Sequence, residues 1–452
     1  MSETEKTDLT FRVIAEKIFL EGVESVTPDR LIRAVIRRDG NILAIENRIL
    51  SLDALENIYV VGAGKASALM GEEVEKILGD RITEGHIVVK YGFSRKLRHI
   101  KITEAGHPVP DSNGFKAARE IVRICEKAGA NDLVICLFSG GGSSLLPDIP
   151  AGCTADDMIQ LTDLLVNCGA GISEINAVRK HLSAIKGGQL ARLAFPASLV
   201  NLIISDVPGD RLDVIASGPT VADPTTFNKA LTVLDSYGLK SRISPAIINY
   251  LNEGSAGKRP ETPKENDMVF TRTHNILVGR NRMALEAAKK KALEYNINAV
   301  IIDDQLQGDI PAVAEYLVNT ALKFRNDKGE AKPVCLLFGG ETTVKMSGNG
   351  LGGRNQHLAL ASALLLENYP GITILCAGSD GNDGPTGAAG AVVDSESANS
   401  ARNHSIDPEK YFTAFDSFHF FKEAGGHIIT GPTLTNVMDI IVILIKNAKI
   451  RI

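Results

Sequence analysis

Apolar residues fall along this chain in blocks of strand length, each ending in glycine or a charged residue and each followed by a longer stretch with helical spacing. In the first half the blocks are NIYVVGAG (57–64), GHIVVK (85–90), DLVICLFSG (132–140) and ASLVNLIISD (197–206), after a helical N-terminal stretch. They are apolar at successive positions, as strands covered by helices on both faces must be, which predicts a βαβ series around a parallel sheet. At 253–267 the pattern lapses into EGSAGKRPETPKEND, whose Gly, Pro and charged residues fit a linker. Alternation then resumes with THNILVGR (273–280), a helical NRMALEAAKKKALEY (281–295), NAVIID (298–303), PVCLLFGG (333–340), ITILCAGSD (372–380) and NVMDIIVILI (436–445). The expected organisation is therefore two α/β domains, residues 1–252 and 268–452, with the last strand or tail free to pack back on the first.

Length supports the division, since 452 residues exceed the ~250–300 at which single cores stop growing. A hydrophobic share of 44% and a charged share of 23% describe a globular chain. No window approaches the ~18 apolar residues of a membrane helix, and the polar start MSETEKTDLT is unlike a signal peptide, so a cytoplasmic protein without a membrane partner is expected. A net charge of −5 offers no basic surface for nucleic acid. A small anion would need a local positive site. The six cysteines form no CxxC pair, and Cys136, Cys335 and Cys376 lie inside strand-like runs, which fits buried free thiols.

Ligands of open α/β sheets bind beyond the carboxyl ends of the strands, which directs attention to the residues that follow each apolar block. Gly62-Ala63-Gly64-Lys65-Ala66-Ser67 is a Gly-rich turn that lacks the first glycine of a Walker loop and carries Ser67 at the third glycine position of a dinucleotide fingerprint. Lys65 would add a mobile charge just inside a helix N-terminus; otherwise it is a solvated lysine in a tight turn. Ser139, Gly140, Gly141, Gly142 and Ser143 follow the next block. Three consecutive glycines let several N–H groups converge on phosphate or carboxylate, the plain alternative being a flexible loop. Asp206 and Asp210 flank Val207-Pro208-Gly209 at a strand end, where they suit Mg²⁺, a hydroxyl proton, or purely local hydrogen bonds.

In the second half Gly339-Gly340-Glu341 ends a block, and the loop 348–353 delivers Arg354 into a helix start, a geometry suited to a bidentate clamp on an anion. Asp380 opens a loop of alternating Asp and Asn, but Ala391 stands where a calcium loop needs its twelfth, acidic residue, so this too reads as a ligand loop. The polar clusters 107–111 and 176–181 read most simply as a rigid turn and as a helix face on which Arg179 and Lys180 are solvated or functional.

These segments resemble a known family. GAGKA (62–66), HPVPD (107–111), LFSGGGSSLL (137–146), INAVRKHLSAIKGGQLA (175–191), ISDVPGD (204–210) and IASGPT (215–220) are similar to the glycerate kinase domain. ETPK (261–264), FGGETTV (338–344), GLGGRNQ (350–356) and AGSDGNDGPTGAAGAVVD (377–394) are similar to the MOFRL domain. The motifs keep the family's order over roughly residues 57–440. The resemblance implies a larger Rossmann-like, three-layer domain with a parallel sheet, a smaller mixed α/β MOFRL domain, and a cleft between them. It also implies phosphorylation of D-glycerate by ATP in the branch associated with 2-phosphoglycerate, with Mg²⁺ or another divalent cation. Catalytic weight falls on Lys65, Asp206 and Arg354. Binding falls on Ser139, Gly140, Gly141, Gly142, Ser143, Asp210, Glu341 and Asp380, with Asp206, Asp210 and Asp380 as metal candidates. Glycerate and ATP are the expected partners, and a homo-oligomer is compatible with the chain. Two other readings stand beside it: a hydroxypyruvate reductase using NAD(P)H, which the incomplete fingerprint and Lys90 disfavour, and a non-catalytic anion-sensing module, which would not need the paired aspartates.

Overall fold

The computed structural model describes residues 10–326, 333–344 and 348–446, and the chain forms two compact units, Pro28–Gly279 on one hand and the first 27 residues together with Arg280 onward on the other.

Within Pro28–Gly279, β1 (Ile36–Asp39), β2 (Ile42–Ile45) and β3 (Arg48–Ser51) make a small antiparallel sheet. The main sheet contains β4 (Ile58–Ala63), β5 (Glu84–Lys90), β6 (Ile100–Ala105), β7 (Leu133–Phe138), β8 (Ser198–Ile204) and β9 (Thr273–Gly279), all parallel, in the order β6-β5-β4-β7-β8-β9. That is the doubly wound order, in which the chain works outward from β4 and then outward again from β7. Every residue of β4 and of β7 is buried, which is why their sequences show no alternation. Successive side chains serve opposite faces: Val88 joins the core under helix Ser112–Lys127, whereas Ile87 lies against Gly71 of helix Ser67–Leu78. The stretch 253–267 is not a linker here but part of this unit. Glu261 accepts the Phe227 N–H at 3.0 Å, Thr262 donates to Asp223 at 3.1 Å and Lys264 donates to the Asp223 carbonyl at 3.0 Å. Its polar residues look solvated in sequence because their partners are distant in sequence.

The other unit holds β10 (Asn298–Leu306), β11 (Val334–Gly340), β12 (Ile372–Gly378), β13 (Gly390–Asp394), β14 (His427–Ile428) and β15 (Asp439–Ile445), in the order β10-β11-β15-β12-β13-β14. Only β10 and β11 are parallel, so the sheet is mixed. The last strand, β15, is inserted between β11 and β12, where all seven of its residues are buried. The N-terminal helix Phe11–Ser25 likewise belongs to this unit rather than to residues 1–252. Arg12 grips Asp394 bidentately at 2.6 and 2.8 Å, and a side chain at Gly22 would stand 3.0 Å from the Ala284 carbonyl, so the helix can lie close only with glycine there. All six cysteines are free, four of them buried, while Cys153 and Cys168 are only partly covered. No helix among the described residues is long and apolar enough to cross a membrane.

Each unit buries a histidine in neutral form. His86 on β5, bonded to Thr103 at 2.8 Å, and His357 are 3% and 4% exposed, and burial pushes both down to about 4. In the unfolded chain both would titrate near 6.5, so the unfolded state takes up protons first and stability is lost as pH falls from about 6.5 toward 4. Urea denaturation at pH 7 and pH 5 should show a loss of about 2 kcal/mol per histidine, and His86→Gln should remove the share of the first unit.

Candidate active site

The parallel order places the switch point between β4 and β7, whose following loops leave in opposite directions. These loops are the two Gly-rich turns, and they are knitted together. Lys65 N–H donates to the Gly140 carbonyl at 2.9 Å, Ser139 N–H to the Ala63 carbonyl at 3.2 Å, and Ala66 N–H to the Ser139 hydroxyl at 3.0 Å. Ser67 and Ser139 hydroxyls lie 3.2 Å apart. Gly64, at φ +140°, has no room for a side chain, since a Cβ would sit 2.2 Å from the Ser139 hydroxyl oxygen.

Two expectations change. Lys65 precedes rather than enters the helix Ser67–Leu78, and the N–H groups of Lys65 and Ala66 are already spent, so any action on an anion falls to its side chain. Ser139 is fully buried with its hydroxyl engaged, which makes it the clasp of the two loops rather than a ligand.

In the rest of the triple-glycine loop, Gly142 N–H donates to the Ser139 carbonyl at 3.2 Å and the other donors are kept. Among the described residues the N–H groups of Gly140, Gly141 and Ser143 have no acceptor in the protein, and Gly141 takes φ +84° at the start of the short helix Gly142–Leu145. Such a run of unsatisfied amides is an anion nest. One side is closed by His107, whose Nε2 lies 2.8 Å from where a Gly141 side chain would begin; the other is closed by Ala216, at 2.9 Å from a side chain on Gly142. His107 was legible only as part of a turn. Burial and the charges of Lys65 and Lys90 push it down to about 4, so it is neutral at physiological pH.

Asp206 and Asp210 follow β8, the strand beside β7, so their turn stands at the same end of the sheet as both glycine loops. Both are half-exposed. Asp210 N–H closes the turn on the Val207 carbonyl at 3.0 Å, and Asp210 holds φ +54°. Ala216 and Ser217 are also left-handed, at φ +49° and +60°, a concentration of strained non-glycine residues that favours a functional site. Ser217 bridges Ser143 at 2.8 Å to Asn176 Oδ1 at 3.0 Å.

In the other unit Asp439, the first residue of β15, pairs across to Gly340 at the end of β11 and to Gly378 at the end of β12. Arg354, the first residue of helix Arg354–Leu366, turns its guanidinium fork onto Asp439, with Nε and Nη2 at 2.7 and 2.9 Å, while Nη1 meets Glu341 at 2.7 Å. The bidentate face expected for a ligand is thus filled by a protein carboxylate. Burial opposes the charge of Arg354, but Asp439 and Glu341 outweigh it and hold its affinity for the proton above the ordinary value. Asp439 was hidden in the sequence as a lone acid opening an apolar run.

Asp383 anchors the same helix. It is 2% exposed and accepts the N–H groups of Asn355 and Gln356 at 3.0 and 2.8 Å and the Gln356 amide at 3.0 Å. Burial pushes its carboxyl up to about 6 despite these donors. Gly353 must be glycine for this approach, because a side chain would meet Asp383 at 2.2 Å. Asp383→Ala should leave the buried N–H groups of Asn355 and Gln356 unpaired and lower stability by about 2–4 kcal/mol, read by chemical denaturation. Asp380 lies three residues earlier in that loop, accepting Asn382 N–H at 3.0 Å.

Residues 14–252 match a family described only as a domain of unknown function, DUF4147, and residues 334–439 match the MOFRL family. A D-glycerate 2-kinase of Thermotoga maritima is 39% identical over 96% of this chain and 99% of that relative. A glycerate 2-kinase of Pyrococcus horikoshii is 35% identical over 98% of this chain and 99% of that relative. The crystal structure of a glycerate kinase from Thermotoga maritima superposes with a TM-score of 0.84 at 38% identity, covering 96% of this chain and 99% of that one.

Proposed function

We propose, from the premise that this chain belongs to the glycerate 2-kinase family, that it transfers the γ-phosphoryl group of ATP to a hydroxyl of D-glycerate, giving 2-phosphoglycerate and ADP. The observation that carries the reading is the switch point, where the unaccepted N–H groups of Gly140, Gly141 and Ser143 lie on the loop knitted to that of Lys65. Phosphoryl transfer asks chiefly for positioning and for neutralisation of charge on the transferred group. In this reading the nest and the Lys65 ammonium hold phosphate oxygens. Asp206, on the end of a buried strand, accepts or orients the acceptor's hydroxyl proton. Arg354, held by Asp439 and Glu341, and Asp380 are the residues of the other unit to which the family resemblance gives weight.

A kinase of this kind uses Mg²⁺ together with the nucleotide, and the donor set suits it. Asp206 and Asp210 are oxygen donors on one turn, enough for an ion that takes one or two carboxylates and fills the rest of its shell with phosphate and water. Among the described residues no group of three or more acids, histidines or cysteines forms an all-protein cage. Bound Mg²⁺ would neutralise charge that develops on the phosphate oxygens. Exhaustive chelation should abolish turnover and added Mg²⁺ restore it; full activity after chelation would remove the metal from the reading.

The reductase alternative is weakened by the same loop geometry. A dinucleotide pyrophosphate needs the N–H groups of the first glycine turn, and those of Lys65 and Ala66 are bonded to Gly140 and Ser139. Incubation with ATP, Mg²⁺ and D-glycerate should yield ADP and a phosphoglycerate, while NAD(P)H with hydroxypyruvate should give no oxidation. The reverse pattern would overturn the proposal.

A further inference from the structure

Arg179 occupies the last turn of helix Ile172–His181, where the sequence left it undecided between a solvated face and a working residue. It is only partly exposed, and among the described residues its guanidinium makes no hydrogen bond or ion pair. Its neighbours do not resemble it in this. Lys180 is paired with Asp223 at 3.3 Å, and Lys186, nearly fully buried, is 3.5 Å from Asp148 and donates to the Leu146 carbonyl. Asp148, the acid closest to hand, is consumed: it accepts the Ser183 hydroxyl at 2.9 Å and the Ala184 N–H in addition to facing Lys186.

A guanidinium cannot shed its charge, so burial without an acid must be compensated in another way. The carbonyl end of the helix supplies only part of it, because its partial charge is far weaker than a paired carboxylate. Burial pushes the proton affinity of Arg179 down, and no acid pulls it back. One turn earlier on the same helix, Asn176 is 3% exposed and its Nδ2 also lacks an acceptor, although its Oδ1 takes the Ser217 hydroxyl. Asn176 does not line the cavity described next, so it is the guanidinium of Arg179 that calls for an anion there.

The room for it is present. Arg179 and Lys186 line a cavity of about 40 Å³ with Ser143 and Ser144 of the triple-glycine loop, closed by Pro110, Phe115 and Pro147. With Asp148 also in the wall, two positive charges face one negative. That volume holds roughly three water-sized groups, which suits a carboxylate.

We propose that Arg179, in the cavity walled by Ser143 and Ser144, forms the subsite for the carboxylate of the hydroxy-acid acceptor, leaving the nest on the other side of Ser143 to phosphate. The inference rests on the kinase reading and adds to it the group that selects an acid over a neutral polyol. It also relieves Arg354 of that task, in keeping with a fork already filled by Asp439.

The test uses the full chain and three measurements on wild type, Arg179→Ala and Arg179→Lys: KM for D-glycerate, KM for ATP, and the preference for glycerate over glycerol. In Arg179→Ala, KM for glycerate should rise about 10–100-fold, the loss expected for a charge-assisted hydrogen bond, while KM for ATP stays within about threefold. Arg179→Lys should fall between, keeping the charge without the fork. Preference for glycerate over glycerol should narrow by the same factor. Thermal stability should hold or rise, since an unpaired buried charge has been removed, whereas a structural arginine would lower it. A wild type active on glycerate whose Arg179→Ala variant keeps its KM overturns this inference alone. A rise confined to KM for ATP assigns the cavity to phosphate and overturns it too. A wild type inert toward glycerate overturns the kinase reading and the subsite together.

Discussion

Asp206→Asn should lower kcat by about 10²–10⁴ while leaving the KM values nearly unchanged, the usual weight of a general base. A hydroxyl is a weak nucleophile, and a carboxylate set against it removes or orients its proton as the bond to phosphorus forms. The substitution keeps the shape of the side chain and removes only its charge. Asp206 follows β8 directly, on a strand whose last six residues are buried, so its backbone is held by the sheet. Asp210 sits beyond Pro208 and Gly209 at φ +54°, on the far limb of the turn. Its replacement by Asn should weaken metal dependence more than the proton step. Steady-state kinetics of both variants across a Mg²⁺ titration is the measurement. Near-normal kcat in Asp206→Asn with its loss in Asp210→Asn would exchange the two roles, and silence in both would make the turn structural.

Lys65→Ala should reduce kcat by about 10²–10³, the scale for removing one donor from a site where charge develops. The structure sharpens this expectation. Because the N–H groups of Lys65 and Ala66 hold Gly140 and Ser139, the backbone of the turn survives the substitution and only the ammonium is lost. The fold should therefore be retained. The charge of Lys65 also helps to keep His107 neutral, so the variant should raise the His107 pKa from about 4, an NMR readout independent of turnover. A variant with normal kcat and lower thermal stability would make Lys65 a structural residue.

Local pattern was enough to identify the strands that carry the site, because a strand covered on both faces must be apolar at every position, as in 58–63, 133–138 and 439–445. Strands with a wet face or an edge position lacked that signal. The small sheet β1-β2-β3, with seven of its twelve residues exposed, and the short β13 and β14 were not legible in the chain. Domain membership was equally hidden. Helix Phe11–Ser25 joins the unit that begins again at Arg280 through Arg12 and Asp394, a pairing across 382 positions that no window along the chain reveals.

The same division runs through the site. Glycine density, strand-end acids and the order of motifs belong to the sequence by itself, because glycine turns and terminal charges express themselves within a few residues of a strand. What each of these groups faces was decided only by tertiary structure. Ser139 became a clasp because Ala66 and Ser67 lie across from it, and Arg354 became one half of an ion pair because β15 inserts Asp439 between two glycine ends. Arg179 was left without an acid because Asp148 turned to Lys186. A charge takes its role from its partner, and partners brought together by a sheet are far apart along the chain.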